Sequence, residues 1–496
     1  MRIINKLFVI FFCLFLFGEI NAEQDVISLF PMGNYNQKIS HWINPSDPGY
    51  DKAILSSATQ KQHLALFYDH YFGMMSPWDE GYIRQITQQN EENNLKNTEK
   101  EILAFFSNEG KSDNQIGYGE NFRPYSERWI HKIANNINWD QLSQIIYSAE
   151  RRGIAVDNLN ARALPTADAH FYHYKIAGQG YPFDNLQESA VWAGTPVYIL
   201  AETRDRAWML VVTPEYIAWV ESKGIARTDE TFVNAWTTVA RQHMAAITST
   251  QTEIIDEEDK YLFTAYVGAV FPAHSAANVT EVMVPVVDSG HQAVIKMAKL
   301  PADKAQIMPV TATPHHFANL MKTLIERPYG WGGIYFYNDC SAEMKSLLTP
   351  FGIWLPRNSS QQVSIGKMED VSPMSAAQRL DYLKSHGKPF LSLIYIGGHV
   401  VMYIGNYDNP NQPGTTMAMT YQNLWGLSPN PANRREVVGG SVLFPMLLQY
   451  PEDPELMSLA GKKYFQISYL DELPAAMLAR QQPMNIRKLA TSGLMQ

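Results

Sequence analysis

Cysteine is almost missing from this sequence, with two residues in 496. Cys13 lies inside a leading apolar run, so a chain freed of that run keeps Cys340 alone and forms no internal disulfide. Long apolar stretches are scarce too. The run from Leu7 to Phe17, flanked by Arg2 and Lys6 and closed by Gly18-Glu-Ile-Asn-Ala22, has the build of a secretory signal peptide and is too short to span a bilayer. Large Phe11 and Phe12 precede Cys13, which argues against lipid attachment there. No later stretch reaches about 18 uninterrupted apolar residues. The expectation is an exported protein, periplasmic or secreted, with no integral membrane segment once residues 1–22 are removed. A positive charge excess is missing as well: the net charge of −9 argues against nucleic acid as a partner and against anionic lipid surfaces. Nothing in the sequence sets an oligomeric state.

What is present begins with length, which is too great for a single core and implies several domains. Aromatic residues are plentiful, including 26 Tyr and 11 Trp, and serve either to line a groove or to fill small β domains. Residues 23–150 are polar and helix-like, with aromatic clusters at Phe67-Tyr68, Tyr71-Phe72, Trp78 and Trp129. His63, His70 and His131 fall there at spacings that match no compact ligand pattern, so no metal and no cofactor is expected. From about Gly153 the pattern changes to short apolar runs between turn residues, including Pro196 to Leu200, Ala207 to Val212 and Tyr216 to Val220. A second series follows, with Tyr261 to Val267, Glu281 to Val287 and Gln292 to Lys296. Such spacing predicts two small β-barrels, over 151–235 and 236–310. A third unit, 311–450, opens with a helical pattern at Phe317, Leu320, Met321, Leu324 and Ile325. Residues 451–496 read as a C-terminal tail.

Cys340 sits at the head of the run Ser341-Ala-Glu-Met-Lys-Ser-Leu-Leu348, whose apolar positions predict a helix stopped by Pro350 and Gly352. At a helix N-terminus, free amides and the positive dipole end favour thiolate, the attacking form of a cysteine. The preceding Tyr329-Gly-Trp-Gly-Gly333 suggests a backbone pressed against a ligand. A nucleophilic thiol needs a base and a group that orients the base. His399, behind two glycines at the start of an apolar run, is the candidate base. If residues 400–404 and 416–422 pair as a hairpin centred near Pro410, Gln422 lies across from His399 and can orient it; a one-residue bulge would present Tyr421 or Asn423 instead.

Tyr329-Gly-Trp-Gly-Gly, Asp339-Cys-Ser341, Pro356-Arg-Asn-Ser359, Gly398-His399 and Tyr421-Gln-Asn-Leu-Trp-Gly426 together resemble the NlpC/P60 family of papain-like cysteine peptidases, over about residues 314–450. Upstream, Asn158 to Thr166 and Trp219-Val220 resemble a bacterial SH3 module, and His70-Tyr-Phe, Pro77-Trp78 and Gly119-Glu-Asn-Phe122 resemble the N-terminal stabilising domain of the same multidomain group. The resemblance implies a multidomain α+β chain. A papain-like catalytic domain, with helices packed on an antiparallel sheet, would follow two SH3-like barrels and a mostly helical N-terminal domain. It further implies hydrolysis of murein peptides at the bond between γ-D-glutamate and a diamino acid, in fragments whose N-terminal L-alanine is free. Carried over, Cys340 is the nucleophile, His399 the base and Gln422 the third polar residue, where the family more often has histidine. Tyr329, Asp339, Ser341, Arg357, Asn358 and Ser359 are implied to line the substrate site, with Glu188 and Trp219 contributing from the SH3 module. Two other readings stand beside this one: a non-catalytic wall-binding protein, and an acyltransferase or amidase using the same dyad.

Overall fold

The structure is a computed structural model that describes residues 27–88, 94–276, 279–410, 412–429 and 434–478. The expected signal segment lies outside the described residues. Among those described, no helix is long and apolar enough to cross a membrane.

The C-terminal unit is built on a seven-stranded sheet. Its strand order is Ile27–Leu29, Arg435–Met446, Thr416–Leu427, Val400–Asp408, Ser392–Tyr395, Gln466–Tyr469 and Lys367–Asp370. Val400 to Gly405 is buried throughout, which accounts for the uninterrupted apolar run there. Against this sheet packs the helix Cys340–Leu348, through buried Met344, Leu347 and Leu348. Thr349-Pro-Phe351 and Gly352, at φ 81°, end it where the sequence predicts. The expected helix near Phe317 forms as Pro314–Leu324, with Phe317 stacked on Phe351 at 4.1 Å.

Two boundaries differ from expectation. Residues past 450 do not form a separate tail, because Gln466–Tyr469 fills the gap between Ser392–Tyr395 and Lys367–Asp370. Its apolar residues alternate too briefly to announce a strand. The N-terminal stretch is also not one helical unit. Phe30 through Trp78, including helix Ser57–Tyr71, joins the core of the C-terminal unit, and Ile27–Leu29 adds a parallel edge strand to its sheet. Residues Tyr82 to Leu142 instead share a core with Tyr198, Leu200, Leu210 and Trp219.

The first strand-rich region forms a seven-stranded sheet over Arg152–Arg227, with Gln187–Val191 at one edge beside Leu159–Arg162. A second region, Met244–Ile307, forms a five-stranded sheet and the hairpin Thr252–Ile255/Tyr261–Ala265. The first region docks directly on the cysteine helix. Lys345 on that helix pairs with buried Glu215 at 2.5 Å. His63 and His70 are structural, as expected: one hydrogen-bonds the Leu470 carbonyl oxygen at 2.7 Å, and the other stacks on Trp354 at 3.5 Å. Among the described residues no group of three or more metal-ligating side chains converges.

Candidate active site

Asp339 is the N-cap of the cysteine helix, its Oδ1 accepting from the Ala342 amide at 2.9 Å, and this places Cys340 on the first turn. The preceding turn is strained. Gly332 and Gly333 have φ of 58° and 78°, and Tyr335 and Phe336 share the left-handed region. The glycines are pressed against protein, contrary to the expectation of a ligand there: a Cβ on Gly332 would lie 2.2 Å from the Gln187 carbonyl oxygen, and one on Gly333 2.9 Å from the Ala190 amide. The edge strand of the first sheet therefore abuts the turn that delivers the thiol.

A buried ionic cluster holds this junction. Arg357 donates to both oxygens of Asp339, at 3.2 and 2.5 Å, to Ser341 Oγ at 2.6 Å, and through Nε to Ser189 Oγ at 2.7 Å. Bidentate pairing with further donors aimed at Ser341 and Ser189 suits a guanidinium taken out of water. Asp339, Ser341, Arg357 and Ser359 are all nearly inaccessible, and Asn358 caps a short turn by accepting from the Ser360 amide. These residues, expected at the substrate site, are buried, and the polar atoms of Asp339, Ser341 and Arg357 engage one another while Arg357 ties the cysteine helix to the first sheet through Ser189. Trp219 is buried likewise. It is 0% exposed and its Nε1 donates to Glu99 Oε2 at 3.0 Å, deep in the first sheet's core. Glu188 is buried beside Glu99, with Oε1 lacking a hydrogen-bond partner among the described residues. Burial, followed by repulsion from Glu99, pushes its carboxyl up to about 8. Tyr329 stays half-exposed and lines a cleft of about 680 Å³ with Trp331, Tyr335, Tyr181, Phe183 and Trp425.

Opposite the thiol, Gly397 and Gly398 turn with φ of 60° and 87° into Val400–Asp408. The Cys340 thiol points at the Gly398 carbonyl oxygen, with Sγ to O 4.0 Å. The half-buried His399 follows and hydrogen-bonds through Nε2 to Gln422 Oε1 at 2.7 Å. The hairpin register that suggested this partner is off by two. Met402 faces Tyr421 and Tyr403 faces Thr420, and a bulge at Tyr403/Gly405 shifts the pairs beyond it by one more. A slip of two keeps side chains on the same sheet face, so Gln422 reaches His399 diagonally instead of directly.

Thr420, two residues earlier on the same face, is absent from the sequence-derived set. Period-two spacing from Gln422 would have found it. Its hydroxyl donates to the Phe444 carbonyl oxygen at 2.7 Å and so can only accept from Gln422 Nε2 at 2.9 Å. That fixes the amide with its oxygen toward His399. In the neutral ring Nε2 then carries the proton, and Nδ1 is left as the basic atom. Burial, followed by repulsion from Asp339, pushes the Cys340 thiol up to about 12. Burial also brings His399 down to about 4. The resting pair is neutral, against the expectation of a thiolate, because loss of hydration and the adjacent carboxylate outweigh the helix terminus.

A thiol on a helix N-terminus facing the Gly398 carbonyl, the histidine that follows that carbonyl in sequence, and an amide that fixes the histidine's tautomer are the parts of a thiol-dependent hydrolase. Residues 326–426 match the NlpC/P60 family, and residues 169–221 match an SH3 domain of the SH3b1 type. The cysteine-bearing unit thus carries an NlpC/P60 region, and an SH3b-type domain lies ahead of it. Among solved structures, it is similar to a novel NlpC/P60 endopeptidase from Photobacterium damselae subsp. piscicida. The two are 28% identical over 88% of this chain and 98% of the other, with a TM-score of 0.74. An NlpC/P60 family protein from Bacillus cereus ATCC 10987 is 16% identical over 62% of this chain and 98% of its own, at a TM-score of 0.40. No curated protein matches.

Proposed function

We propose that this protein is an exported cysteine endopeptidase that hydrolyses γ-D-glutamyl–diamino acid bonds in murein stem peptides. In this reading residues 1–22 serve as the signal peptide, and Cys340 is the nucleophile, His399 the base and general acid, and Gln422 the orienting group. The observation that carries the reading is the ordered chain Phe444–Thr420–Gln422–His399 ending at a ring nitrogen free to take a proton, with Thr420, Gln422 and His399 inside the matched NlpC/P60 region.

The thiol proton passes to His399 Nδ1 as Sγ bonds to the γ-glutamyl carbonyl carbon. With a neutral resting pair, transfer and attack occur together. The first backbone N–H groups of the cysteine helix lack intrahelical acceptors, and that of Cys340 stabilises the oxyanion. The C–N bond breaks as His399 returns the proton to the departing amine. Water, deprotonated by His399, then attacks the thioester and releases the acid and the thiol. Tyr329 borders the acyl side. The ionic cluster of Asp339, Ser341 and Arg357 holds the helix in register with the groove, and the Ser189–Arg357 bond closes the first sheet against it. That closure supports a preference for fragments with a free N-terminal L-alanine over glycan-linked peptides.

One observation favours a second reading, wall binding with an inert thiol: Cys340 is 6% exposed and held as the thiol. Incubation with L-Ala-γ-D-Glu-diamino acid peptides separates the two. Release of the L-Ala-γ-D-Glu dipeptide, abolished by Cys340→Ala, supports the peptidase; binding without release supports the adhesin.

A further inference from the structure

One acidic group on the cysteine helix takes no part in the chemistry described above. Glu343 follows Cys340 by three residues and is fully buried, in a core where Met344, Leu347 and Leu348 pack on the sheet. An apolar side chain would fill that place at lower cost, because a carboxylate drawn out of water needs its hydration replaced bond for bond. Here it is replaced. Oε1 accepts from the Tyr421 hydroxyl and from Ser441 Oγ at 2.8 Å, and Oε2 accepts from Asn338 Nδ2 at 2.8 Å. Burial pushes the carboxyl up, and these three donors, with the charge of Arg327, oppose that rise.

The donors come from the sheet that carries the candidate base and from the turn ahead of the thiol. Tyr421 immediately precedes Gln422 and pairs with Met402, on the strand that starts directly after His399, while Ser441 lies on Arg435–Met446. Asn338 stands two residues before Cys340, and its carbonyl oxygen accepts from Asn423 Nδ2 at 2.8 Å. The two neighbours of Gln422 are thus bonded to residues on both sides of Cys340. Apolar packing has no direction, so a helix held by it alone can slide along a sheet. Hydrogen bonds to a charged acceptor fix the register. Arg357 ties this helix to the first sheet, whereas Glu343 and Asn338 tie it to the sheet of His399 and Gln422.

We infer that Glu343 is a positioning residue: through Tyr421, Ser441 and Asn338 it locks the helix of Cys340 to the sheet of His399 and Gln422, and so sets the alignment in which the thiol gives up its proton. The inference rests on the peptidase reading for what the alignment serves, while the tether itself stands on the bonds. A shift of about 1 Å in such an alignment lowers a rate about a hundredfold. His399 and Gln422 share the sheet, so their own bond survives the loss of the tether.

The test reads kcat and KM of the full chain on L-Ala-γ-D-Glu-diamino acid peptide for Tyr421→Phe, Glu343→Leu and Glu343→Gln. Tyr421→Phe is expected to lower kcat about tenfold and Glu343→Leu about a hundredfold, with KM within about twofold of the wild type. Glu343→Gln should restore most of the loss, since its amide oxygen still accepts from Tyr421 and Ser441 and Asn338 can turn over to accept from its NH2. In the Glu343→Leu background Tyr421→Phe should cost nothing further, because the hydroxyl acts through the carboxylate. Losses that multiply overturn the tether, as does a Tyr421→Phe enzyme with wild-type kcat or a Glu343→Gln enzyme no better than Glu343→Leu. Should Glu343→Leu fail to fold, the milder Tyr421→Phe decides.

A second readout needs no peptide. The ratio of iodoacetamide alkylation rates at Cys340 with His399 present and in a His399→Ala chain measures how far the base assists the thiol. That ratio should exceed unity in the wild type and shrink toward unity in Tyr421→Phe and Glu343→Leu. A ratio that neither variant changes overturns the tether. A ratio that responds to Glu343 in a chain that cleaves no peptide keeps the tether and removes the peptidase reading instead.

Discussion

His399 Nε2 lies 2.7 Å from Gln422 Oε1, and this bond determines which ring nitrogen is left for the thiol. Because Thr420 gives its only proton to the Phe444 carbonyl, the amide of Gln422 cannot turn over without losing a bond at each end. Gln422→Ala is expected to lower kcat about a hundredfold, and Thr420→Val about tenfold with little change in KM. Thr420→Ser should restore the rate. A Thr420→Val enzyme with wild-type kcat would show that the amide needs no support.

Neutral Cys340 and His399 have a measurable consequence. With the thiol up at about 12 and the imidazole down at about 4, alkylation of Cys340 by iodoacetamide should rise steadily with pH above neutrality. The acid limb of peptidase activity should appear near pH 4, where His399 takes up a proton. A preformed ion pair would instead give fast, pH-independent alkylation from pH 5 to 8, and that result would contradict the resting state described.

Glu188 and Glu99 are pushed up, to about 8 and about 7, chiefly by burial. A raised carboxyl holds its proton in the folded state while the unfolded chain has released it, so its contribution is full below about pH 4.5 and declines as pH rises toward 8. Glu188→Gln should match the wild type near pH 5 and exceed it at pH 8 by on the order of a few kcal/mol, read as the difference in thermal midpoints. A variant equally unstable at both pH values would mean that Glu188 is ionised in the folded protein.

Arg357 supports Asp339, Ser341 and Ser189 at once. Arg357→Leu leaves the Asp339 carboxylate buried and unmatched, at about 3–5 kcal/mol. Ser189→Ala removes one bond to the guanidinium and should cost only about 1 kcal/mol in urea unfolding. Equal effects would place the strength of the junction in the Ser189 bond, not in the ion pair.

Local chemistry carried most of what could be read in advance. Asp339 ahead of an apolar helix fixed the position of Cys340, and strand alternation kept Gln422 on the face of His399 even though the hairpin register was wrong by two. Contacts between distant segments were not legible. Gly332 and Gly333 are shaped by Gln187 and Ala190, more than 140 residues away by the separation of Gln187 and Gly332. Gln466–Tyr469 joins the sheet only because two other strands leave a place for it, and Tyr464 reaches the Gly397 turn only through the fold. Trp219 and Arg357 looked available to substrate because the side-chain type announces function as readily as burial; only packing tells the two apart.

The central claim is covalent catalysis by Cys340, and intact-protein mass spectrometry of acid-quenched turnover mixtures tests it most directly. The wild-type chain mixed with L-Ala-γ-D-Glu-diamino acid peptide should carry an adduct of the dipeptide less one water, mapped to the peptide containing Cys340 and absent from Cys340→Ala. Dipeptide release by Cys340→Ala, or an adduct on any other residue, would contradict it.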